Sequence, residues 1–380
     1  MISPKTFYEI LASEGVAFFS GVPDSLLKEF CAYVEAVVPP EAHIIAANEG
    51  SAVALASGFY LATGKLPMVY LQNSGLGNAV NPMLSLADES VYSLPVIVPI
   101  GWRGAPGVRD EPQHMKQGRV TPALLEALEI PWRQLDGDPH AAAEAAKWAA
   151  ETARHKGGPV VLLAHKGVFG KTESRKTPPL IEGAVMGRER AISMITSHLP
   201  PKTVVVSTTG MISRELYEQR TVLEQNRSLD FLTVGSMGHA SQIALGIATA
   251  RPDLNVVCLD GDGSTLMHMG GLATIGSSKV GNLFHIVMNN GVHDSVGGQP
   301  TAAQHISLTE VAKACCYGAV GSTVNTENGL SEAVARLSQK NGTRFLEVLV
   351  TPGSRPDLGR PIETPIANRD MFTTALRELA

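Results

Sequence analysis

The sequence has few of the features that mark disulfide-rich, membrane-spanning or nucleic-acid-binding proteins. Its four cysteines form no C-x-x-C pair, which disfavours a disulfide scaffold, an iron–sulfur cluster and a zinc site. It has no apolar run long enough to span a bilayer and no basic leader before an apolar stretch. A formal net charge of -5 disfavours a protein that binds nucleic acid or anionic lipid through an excess of positive charge. We therefore expect a cytoplasmic protein whose partners are small molecules or other protein chains.

Short apolar runs bounded by Gly, Asn and Asp alternate with Ala-rich helical stretches along the 380 residues. This alternation predicts βαβ units and parallel sheets. The predicted strands are Val16–Phe19, His43–Ala47, Met68–Gln72, Val96–Ile100 and Val160–Ala164 in the first half, then Val204–Ser207, Leu232–Val234, Val256–Asp260, Leu283–Asn289 and Phe345–Val350. A polar stretch with Pro and Gly separates the two series. We predict an α/β fold with two doubly wound parallel-sheet domains, 1–170 and 189–380, joined by a linker at 171–188.

The strongest local pattern follows the predicted strand Val256–Asp260, which runs directly into the turn Gly261–Ser264. Backbone N–H groups at such a turn face an anion, and Asp262 can hold a Mg²⁺ that binds a phosphate. The next strand leads into Asn290, whose amide oxygen suits the same cation at the same edge of the sheet. A GDG turn alone is typical of any tight turn, but its pairing with the Asn-Asn sequence favours the metal site. The turn lacks G-x-G-x-x-G spacing, which disfavours a Rossmann dinucleotide site.

This series of strand, GDGS, helix, strand and NN resembles the motif of thiamine-diphosphate-dependent enzymes. With no middle domain between its halves, the chain resembles the phosphonopyruvate and sulfopyruvate decarboxylases, a compact group of 2-oxo acid decarboxylases. Four strings look like the phosphonopyruvate-specific family: GVPDSLLKEFCAYV from Gly21, QNSGLGNAVNP from Gln72, GWRG…DEPQHMKQGR from Gly101 and NNGVHDSVGGQPT from Asn289. The likeness covers nearly the whole chain. It implies a pyrimidine-binding first domain and a diphosphate-binding second domain.

The resemblance implies thiamine diphosphate and Mg²⁺ as cofactors, bound between the chains of a homodimer or higher homo-oligomer. It assigns the metal to Asp262, the Asn290 side chain and the main-chain carbonyl of Val292. It assigns the carboxylate that bonds the pyrimidine to Glu49, and the support of the bent cofactor to Met237. Glu49 alone is also typical of a first-turn acid at a helix N-terminus, and Met237 of a core methionine. The other residues implied at the cofactor are Ser74, Gly210, Gly235, Ser236, Gly261, Gly263 and Ser264.

The segment Gly101–Arg119 provides positive charge for an anionic substrate, since its four basic residues face only two acids. The residues predicted to bind the substrate are Arg103, Arg109, Lys116 and His293, and Arg119 adds further charge. A solvated mobile loop is the alternative interpretation. His114 and Asp24 are predicted to be catalytic together with Glu49, although Asp24 is also a good helix N-cap and His114 is compatible with a structural role. Asn73, Asp294 and Gln299 belong to the same family-like strings.

The function implied by the resemblance is the non-oxidative decarboxylation of 3-phosphonopyruvate to phosphonoacetaldehyde and CO₂. Sulfopyruvate decarboxylase, which acts on a sulfonate, is the nearest alternative. A non-catalytic thiamine-diphosphate-binding protein and a carboligase also stay open. An oxidoreductase that passes electrons to iron–sulfur clusters is disfavoured by the cysteine spacing.

Overall fold

The computed structural model describes residues 1–177, 180–339 and 341–379. The chain divides into two compact units, Met1–Thr177 and Pro178–Ala380. This division falls inside the segment 171–188 that the sequence predicts as a linker, and a helix begins at Arg188, the last residue of that segment. Within the described ranges, no helix has the length and apolar character needed to cross a membrane.

The first unit is built on a parallel sheet of six strands in the order β2-β1-β3-β4-β6-β5. The strands are β1 Val16–Gly21, β2 His43–Ile45, β3 Leu66–Gln72, β4 Val96–Gly101, β5 Trp132–Leu135 and β6 Pro159–Ala164. Its helices are α1 Pro4–Ser13, α2 Lys28–Val37, α3 Glu49–Thr63, α4 Leu76–Ser85, α5 Pro112–Ala127 and α6 Pro139–Lys156. Two apolar clusters lie on the two faces of this sheet, as expected where helices cover both sides.

The second unit is also built on a six-stranded parallel sheet, in the order β11-β12-β10-β9-β7-β8. The strands are β7 Val204–Ser207, β8 Asp230–Leu232, β9 Val256–Gly261, β10 Leu283–Asn289, β11 Ala319–Val320 and β12 Arg344–Leu349. The helices are α7 Arg188–His198, α8 Met211–Val222, α9 Ala240–Ala250, α10 Asp262–Met267, α11 Gly270–Ser277, α12 Leu308–Ala314, α13 Glu327–Ser338 and α14 Pro365–Glu378. The predicted α/β class with two doubly wound parallel sheets is confirmed.

Two strands are absent from the sequence prediction, and most of the others differ from it by one or two residues at their ends. Strands β5 and β11 were not predicted, because β5 buries only Leu135 and β11 has only two residues. Strand β8 begins two residues before the predicted Leu232–Val234. Its first residue, Asp230, is a buried acid paired with Arg220, and a hydropathy pattern does not mark such a residue as part of a strand.

Candidate active site

The turn between β9 and α10 places Asp262 as the first residue of α10. Its side chain is buried, and its Oδ2 accepts a hydrogen bond from the Thr301 hydroxyl. Burial raises the pKa of Asp262 to about 6, although hydrogen bonds from Thr301 and from the backbone at Gly263 and Asn290 act in the opposite direction. A carboxylate buried in this way is costly to keep charged, and a bound cation would remove that cost.

Asn290 follows β10, which pairs in parallel with β9 through Met288 and Gly261. The Asn290 side chain is buried, and its Oδ1 accepts a hydrogen bond from the Val292 backbone N–H at 3.1 Å. The two predicted side-chain ligands therefore meet at the carboxyl ends of adjacent strands. A carboxylate, an amide oxygen and a backbone carbonyl are hard oxygen donors, so these residues fit Mg²⁺.

Glycine at position 263 allows two further side chains to approach the same turn. A Cβ atom built on Gly263 would lie 3.2 Å from His293 Cε1 and 3.4 Å from Met237 Cε. The pKa of His293 is lowered to about 4 by burial, so its imidazole is neutral near pH 7. His293 therefore lies beside the candidate metal turn and can bond an anion only through a neutral N–H.

Ser264 joins this turn to two other strand ends of the second unit. Its hydroxyl shares a hydrogen bond of 2.9 Å with Thr208 and accepts one from the Gly238 backbone N–H at 3.1 Å. Gly210, two residues after Thr208, adopts φ 97°, and Ser236 adopts φ 56°. The predicted cofactor residues therefore lie on the loops that follow β7 and β8 and where β9 runs directly into α10: Gly210, then Gly235, Ser236 and Met237, then Gly261, Gly263 and Ser264.

Gln299, in the second unit, has a buried side-chain amide that makes no hydrogen bond within the part of the chain that the structure describes. Its side chain is 1% exposed, and neither amide atom has a hydrogen-bond partner among the described residues. Its backbone carbonyl accepts a hydrogen bond from the His293 N–H at 2.8 Å, which places it on the loop over the candidate metal turn. Buried amides without a partner are rare, and this one fits a site that is completed by a ligand.

Cys258, Asp260 and His285 form a separate buried cluster of metal-ligand residue types within the described part of the chain. His285 Nε2 lies 3.3 Å from Asp260 Oδ2, and its Nδ1 lies 3.0 Å from the Tyr317 hydroxyl. Burial raises the pKa of Cys258 well above its usual value, so the thiol stays protonated. These contacts are those of a hydrogen-bonded core cluster rather than a metal centre.

In the first unit, Glu49 is the first residue of α3, which begins after the N-cap Asn48 and ends at the C-cap Gly64, with φ 67°. The Glu49 side chain is buried, and its Oε2 accepts a hydrogen bond from Asn78 Nδ2 at 2.8 Å. A Cβ atom at Gly75 would lie 2.0 Å from Glu49 Oε1, so glycine is required there for the carboxyl group to fit. Burial raises the pKa of Glu49, and the Asn78 hydrogen bond opposes this shift. Such a carboxyl can share a proton with a ring nitrogen.

Asp24 lies fully buried in the turn after β1. Its Oδ2 accepts hydrogen bonds from the backbone N–H groups of Leu26 at 2.6 Å and Leu27 at 2.9 Å, and its Oδ1 accepts one from Gln72 Nε2 at 2.7 Å. Burial raises the pKa of Asp24 despite these bonds. The contacts are those of a carboxylate that holds the local backbone, and its catalytic role stays a prediction.

The basic segment after β4 is more ordered than its charges alone indicate. Arg103 Nε donates a hydrogen bond to Asp110 Oδ2 at 2.7 Å, its Nη2 donates one to Asp110 Oδ1, and its Nη1 donates one to the Ser25 hydroxyl at 2.9 Å. Burial would raise the pKa of Asp110, but the hydrogen bonds from Arg103 and the backbone hold it well below its usual range. Asn73 Nδ2 bonds the Arg103 carbonyl at 2.8 Å and ties this loop to the end of β3. Arg103 is therefore already neutralised within the unit.

The remaining predicted residues of the first unit are less enclosed. Arg109, Lys116 and Arg119 are exposed, and His114 is half-buried near the start of α5. Ser74 is exposed and donates a hydrogen bond to Gln72 Oε1 at 2.8 Å. The exposed basic residues are available to an anion, but their geometry does not single one out.

Several contacting residues were missed by the sequence reasoning. Asn78 stands inside the string QNSGLGNAVNP, and its position one helical turn after Gly75 is the signal that could have identified it. Thr301 is 39 residues from its partner Asp262, and no local pattern connects the two. Arg188 lies 106 residues from Asp294, which it contacts.

Comparisons with known proteins identify the family of this chain. Residues 4–124 match the N-terminal thiamine pyrophosphate (thiamine diphosphate) binding domain of thiamine pyrophosphate enzymes, and residues 208–348 match the C-terminal one. Phosphonopyruvate decarboxylases from Streptomyces viridochromogenes and Streptomyces hygroscopicus are each 36% identical over 96% of this chain and 92% of their own length. A sulfopyruvate decarboxylase from Methanosarcina acetivorans is 29% identical over 91% of this chain and 90% of its own length. With both cofactor-binding domains matched and near full-length relatives, this chain belongs to the thiamine pyrophosphate enzyme family.

Proposed function

We propose that this protein is a thiamine-diphosphate- and Mg²⁺-dependent carboxy-lyase that decarboxylates phosphonopyruvate to phosphonoacetaldehyde and CO₂. The observation that carries the proposal is the 36% identity to two phosphonopyruvate decarboxylases over 96% of the chain. The oxygen donors at the carboxyl edge of the second sheet and the buried carboxyl group of the first unit support the same chemistry.

In the second unit, we assign Mg²⁺ to the Asp262 carboxylate, the Asn290 Oδ1 and the Val292 carbonyl. A divalent cation there would compensate the buried charge of Asp262 and bind the diphosphate. The loops after β7 and β8 and the start of α10 would present backbone N–H groups to the same anion, and Met237 would support the cofactor from the side of Gly263.

In the first unit, we assign Glu49 to the pyrimidine ring of the cofactor. Its raised pKa suits a carboxyl group that shares a proton with a ring nitrogen, and Asn78 and Gly75 fix where its two oxygens lie. Bound thiamine diphosphate would supply the electron sink for the electron pair that is released with CO₂. The protein would supply orientation, charge pairing and the exclusion of water.

The substrate phosphonate requires positive charge that is not already paired. Arg103 is neutralised by Asp110, so we assign it to positioning the loop rather than to direct binding. Arg109 and Lys116 are exposed and are the better candidates for the phosphonate, with the neutral His293 as a hydrogen-bond partner. His114 stays a candidate proton donor near the start of α5.

Sulfopyruvate decarboxylation is the second candidate function, because a relative of that activity also matches over 91% of the chain. The two substrates differ in charge, since a phosphonate can carry a second negative charge and a sulfonate cannot. The test is CO₂ release from phosphonopyruvate, sulfopyruvate and pyruvate, measured side by side with thiamine diphosphate and Mg²⁺. We expect phosphonopyruvate to have the highest kcat/KM, and a preference for sulfopyruvate would overturn the substrate assignment alone.

We further propose that the active enzyme is at least a homodimer in which Glu49 of one chain and Asp262 of another serve one cofactor. Helix α3 exposes Leu55 and Leu61 as well as burying an apolar face, so it resembles a helix covered on both sides by protein. The test is co-expression of Glu49→Gln chains with Asp262→Ala chains, each inactive alone.

In a mixed dimer with shared sites, one site combines the intact Glu49 of one chain with the intact Asp262 of the other. Random pairing then restores about a quarter of the wild-type activity per site. If each site lies within a single chain, every site carries one defect and the mixture stays inactive.

A further inference from the structure

An ion network contacts the Asn290 side chain, and its members, the buried Arg188 and Glu215 and the half-buried Asp294, come from three separate elements of the second unit. Arg188 begins α7, Glu215 lies in α8, and Asp294 follows β10. We propose that Asp294, held by Arg188, is a positioning residue that fixes the Asn290 side chain for the metal and thereby sets both Mg²⁺ affinity and metal preference. This inference rests on the proposed function, because it deepens the assignment of the metal site.

The first step is the orientation of the Asn290 amide. Its Nδ2 donates a hydrogen bond to Asp294 Oδ2 at 2.7 Å, and its Oδ1 accepts one from the Val292 N–H at 3.1 Å. A carboxylate is acceptor-only, so it can bond the NH₂ end of an amide but not the oxygen end. Asp294 therefore selects the rotamer in which Oδ1 is directed away from it and towards the Val292 backbone. That oxygen keeps a second lone pair for a cation.

The second step is the rigidity of Asp294 itself. Arg188 Nη1 donates a hydrogen bond to Asp294 Oδ2 at 2.6 Å, and the Gly353 N–H donates one to Asp294 Oδ1 at 3.0 Å. Each carboxylate oxygen thus has a fixed donor besides Asn290. A ligand supported in this way loses little orientational freedom when it binds a metal.

The third step is the anchoring of Arg188. Its Nε and Nη2 donate hydrogen bonds to the two carboxylate oxygens of Glu215 at 2.7 and 2.9 Å, while Nη1 bonds Asp294. The side chains of Arg188 and Glu215 are 4% and 2% exposed, so water does not compete for these bonds. The network therefore transmits the position of two packed helices to one side-chain oxygen of the proposed Mg²⁺ site.

If the network had only a structural role, a different result would be expected. The network would stabilise the packing of α7 against α8, and its loss would lower the unfolding temperature without changing which metal is preferred. A positioning role also changes the metal site, because a freely rotating Asn290 presents either its oxygen or its NH₂ group to the cation. Small Mg²⁺ demands near-ideal geometry, whereas larger Ca²⁺ tolerates looser sites.

The experiment measures metal binding rather than turnover. Metal-free protein, in a solution that contains excess thiamine diphosphate, is titrated with Mg²⁺ and, separately, with Ca²⁺, and the metal-dependent binding is measured by calorimetry. We expect Asp294→Ala to weaken Mg²⁺ binding by about 10- to 100-fold and Ca²⁺ binding by less. Asp294→Asn keeps the size of the side chain but allows an amide to face the Asn290 amide in either orientation, and we expect an intermediate loss.

The matched control is Arg190→Ala, on the same helix as Arg188. Arg190 makes a bidentate pair with Glu327 at 3.0 and 2.7 Å, but both side chains are exposed. This variant should bind both metals as the wild type does. Arg188→Lys, which retains the charge but not the three-way bonding, should shift metal preference in the same direction as Asp294→Asn.

The outcomes distinguish a failure of the positioning role of Asp294 from a failure of the proposed function. If Asp294→Ala and Asp294→Asn bind Mg²⁺ and Ca²⁺ with wild-type affinities and lose only thermal stability, the positioning role is overturned and the proposed function is untouched. If the wild-type protein shows no metal-dependent binding of thiamine diphosphate, the proposed function fails, and the inference fails with it.

Discussion

The two sheets have the same strand order. The first is β2-β1-β3-β4-β6-β5, and the second, read from the edge formed by β8, is β8-β7-β9-β10-β12-β11. The corresponding loops nevertheless carry different chemistry. The connection after the second strand leads to Glu49, at the start of α3, in the first unit and contains Met237 in the second, while the third strand is followed directly by Asn73 or Asp262. A shared topology therefore fixes where functional side chains emerge, and the residue types decide what each edge can bind.

Glu49 and Asp262 sharpen this comparison, because each is the first residue of a helix and each is buried with a raised pKa. Their neighbours differ. Glu49 Oε2 accepts a hydrogen bond from the Asn78 amide, and Oε1 lies beside Gly75, which has no side chain. Oε1 can therefore still share a proton with a ligand. Asp262 lies beside the backbone N–H of Asn290 and the Thr301 hydroxyl, where a cation is the better partner. Equal burial thus produces a proton-sharing group in one unit and a metal ligand in the other.

The largest effect is expected from Asp262→Ala. The change removes the only carboxylate among the proposed metal ligands, so Mg²⁺-dependent retention of thiamine diphosphate and all turnover should be lost. Calorimetric titration of the cofactor measures this loss. The control is Asp253→Ala, which removes a carboxylate that is 53% exposed and paired with Arg251. A variant at 262 that still holds the cofactor tightly would contradict the metal assignment.

The second prediction tests whether Glu49, unlike Asp262, acts in turnover rather than in cofactor binding. Glu49→Gln should lower kcat by about 10²- to 10⁴-fold, because the amide cannot share a proton with the pyrimidine ring. Cofactor and Mg²⁺ binding should change little, since the diphosphate is held by the second unit. Glu41→Gln, at an exposed position before β2, is the control. Turnover near the wild-type level would remove Glu49 from its proposed role.

The third prediction tests the space around Glu49. Gly75→Ala places a Cβ atom 2.0 Å from the original position of Glu49 Oε1, so the carboxyl group must move. A displacement of this size should lower kcat by about 10²-fold. Gly77→Ala is the matched control, because a Cβ atom there meets no heavy atom within 4 Å. Equal activity of the two variants would show that the position of Glu49 does not limit turnover.

The smallest expected effect concerns stability and its pH dependence. The raised pKa of Glu49 means that its stabilising contribution is complete below the unfolded-state pKa of about 4.3 and is lost as the pH rises through the folded-state pKa. Glu49→Gln should therefore raise the unfolding temperature of apo protein by a few degrees at pH 8. The gain should shrink as the pH falls towards 4. Thermal unfolding in the presence of a chelator measures it, and a variant that is less stable at pH 8 would contradict the burial argument.

Much of the fold could be predicted from the sequence, because buried parallel strands appear as short apolar runs. The failures have physical causes. Strand β8 starts with Asp230, whose burial depends on Arg220 ten residues earlier, and the edge strand β5 buries only Leu135. Apolar periodicity does not report buried ion pairs or exposed edges.

The candidate site shows a similar division. Asp262 and Asn290 could be identified because each directly follows an apolar run, and the two runs form adjacent strands of one sheet. Arg103 was counted as positive charge for a substrate, whereas in the structure it is paired with Asp110. Arg188 was not identified at all, because its partner Asp294 is 106 residues away. Local patterns reveal which groups are present, but only the fold shows which of them are already paired.

The most direct measurement is a calorimetric titration of the purified wild-type protein with thiamine diphosphate, once with Mg²⁺ and once with a chelator. The account predicts saturable binding with Mg²⁺ and little or none without it, because the buried oxygens around Asp262 need the cation to hold a diphosphate. Absence of binding in the presence of Mg²⁺ would contradict the assignment of both units to one cofactor.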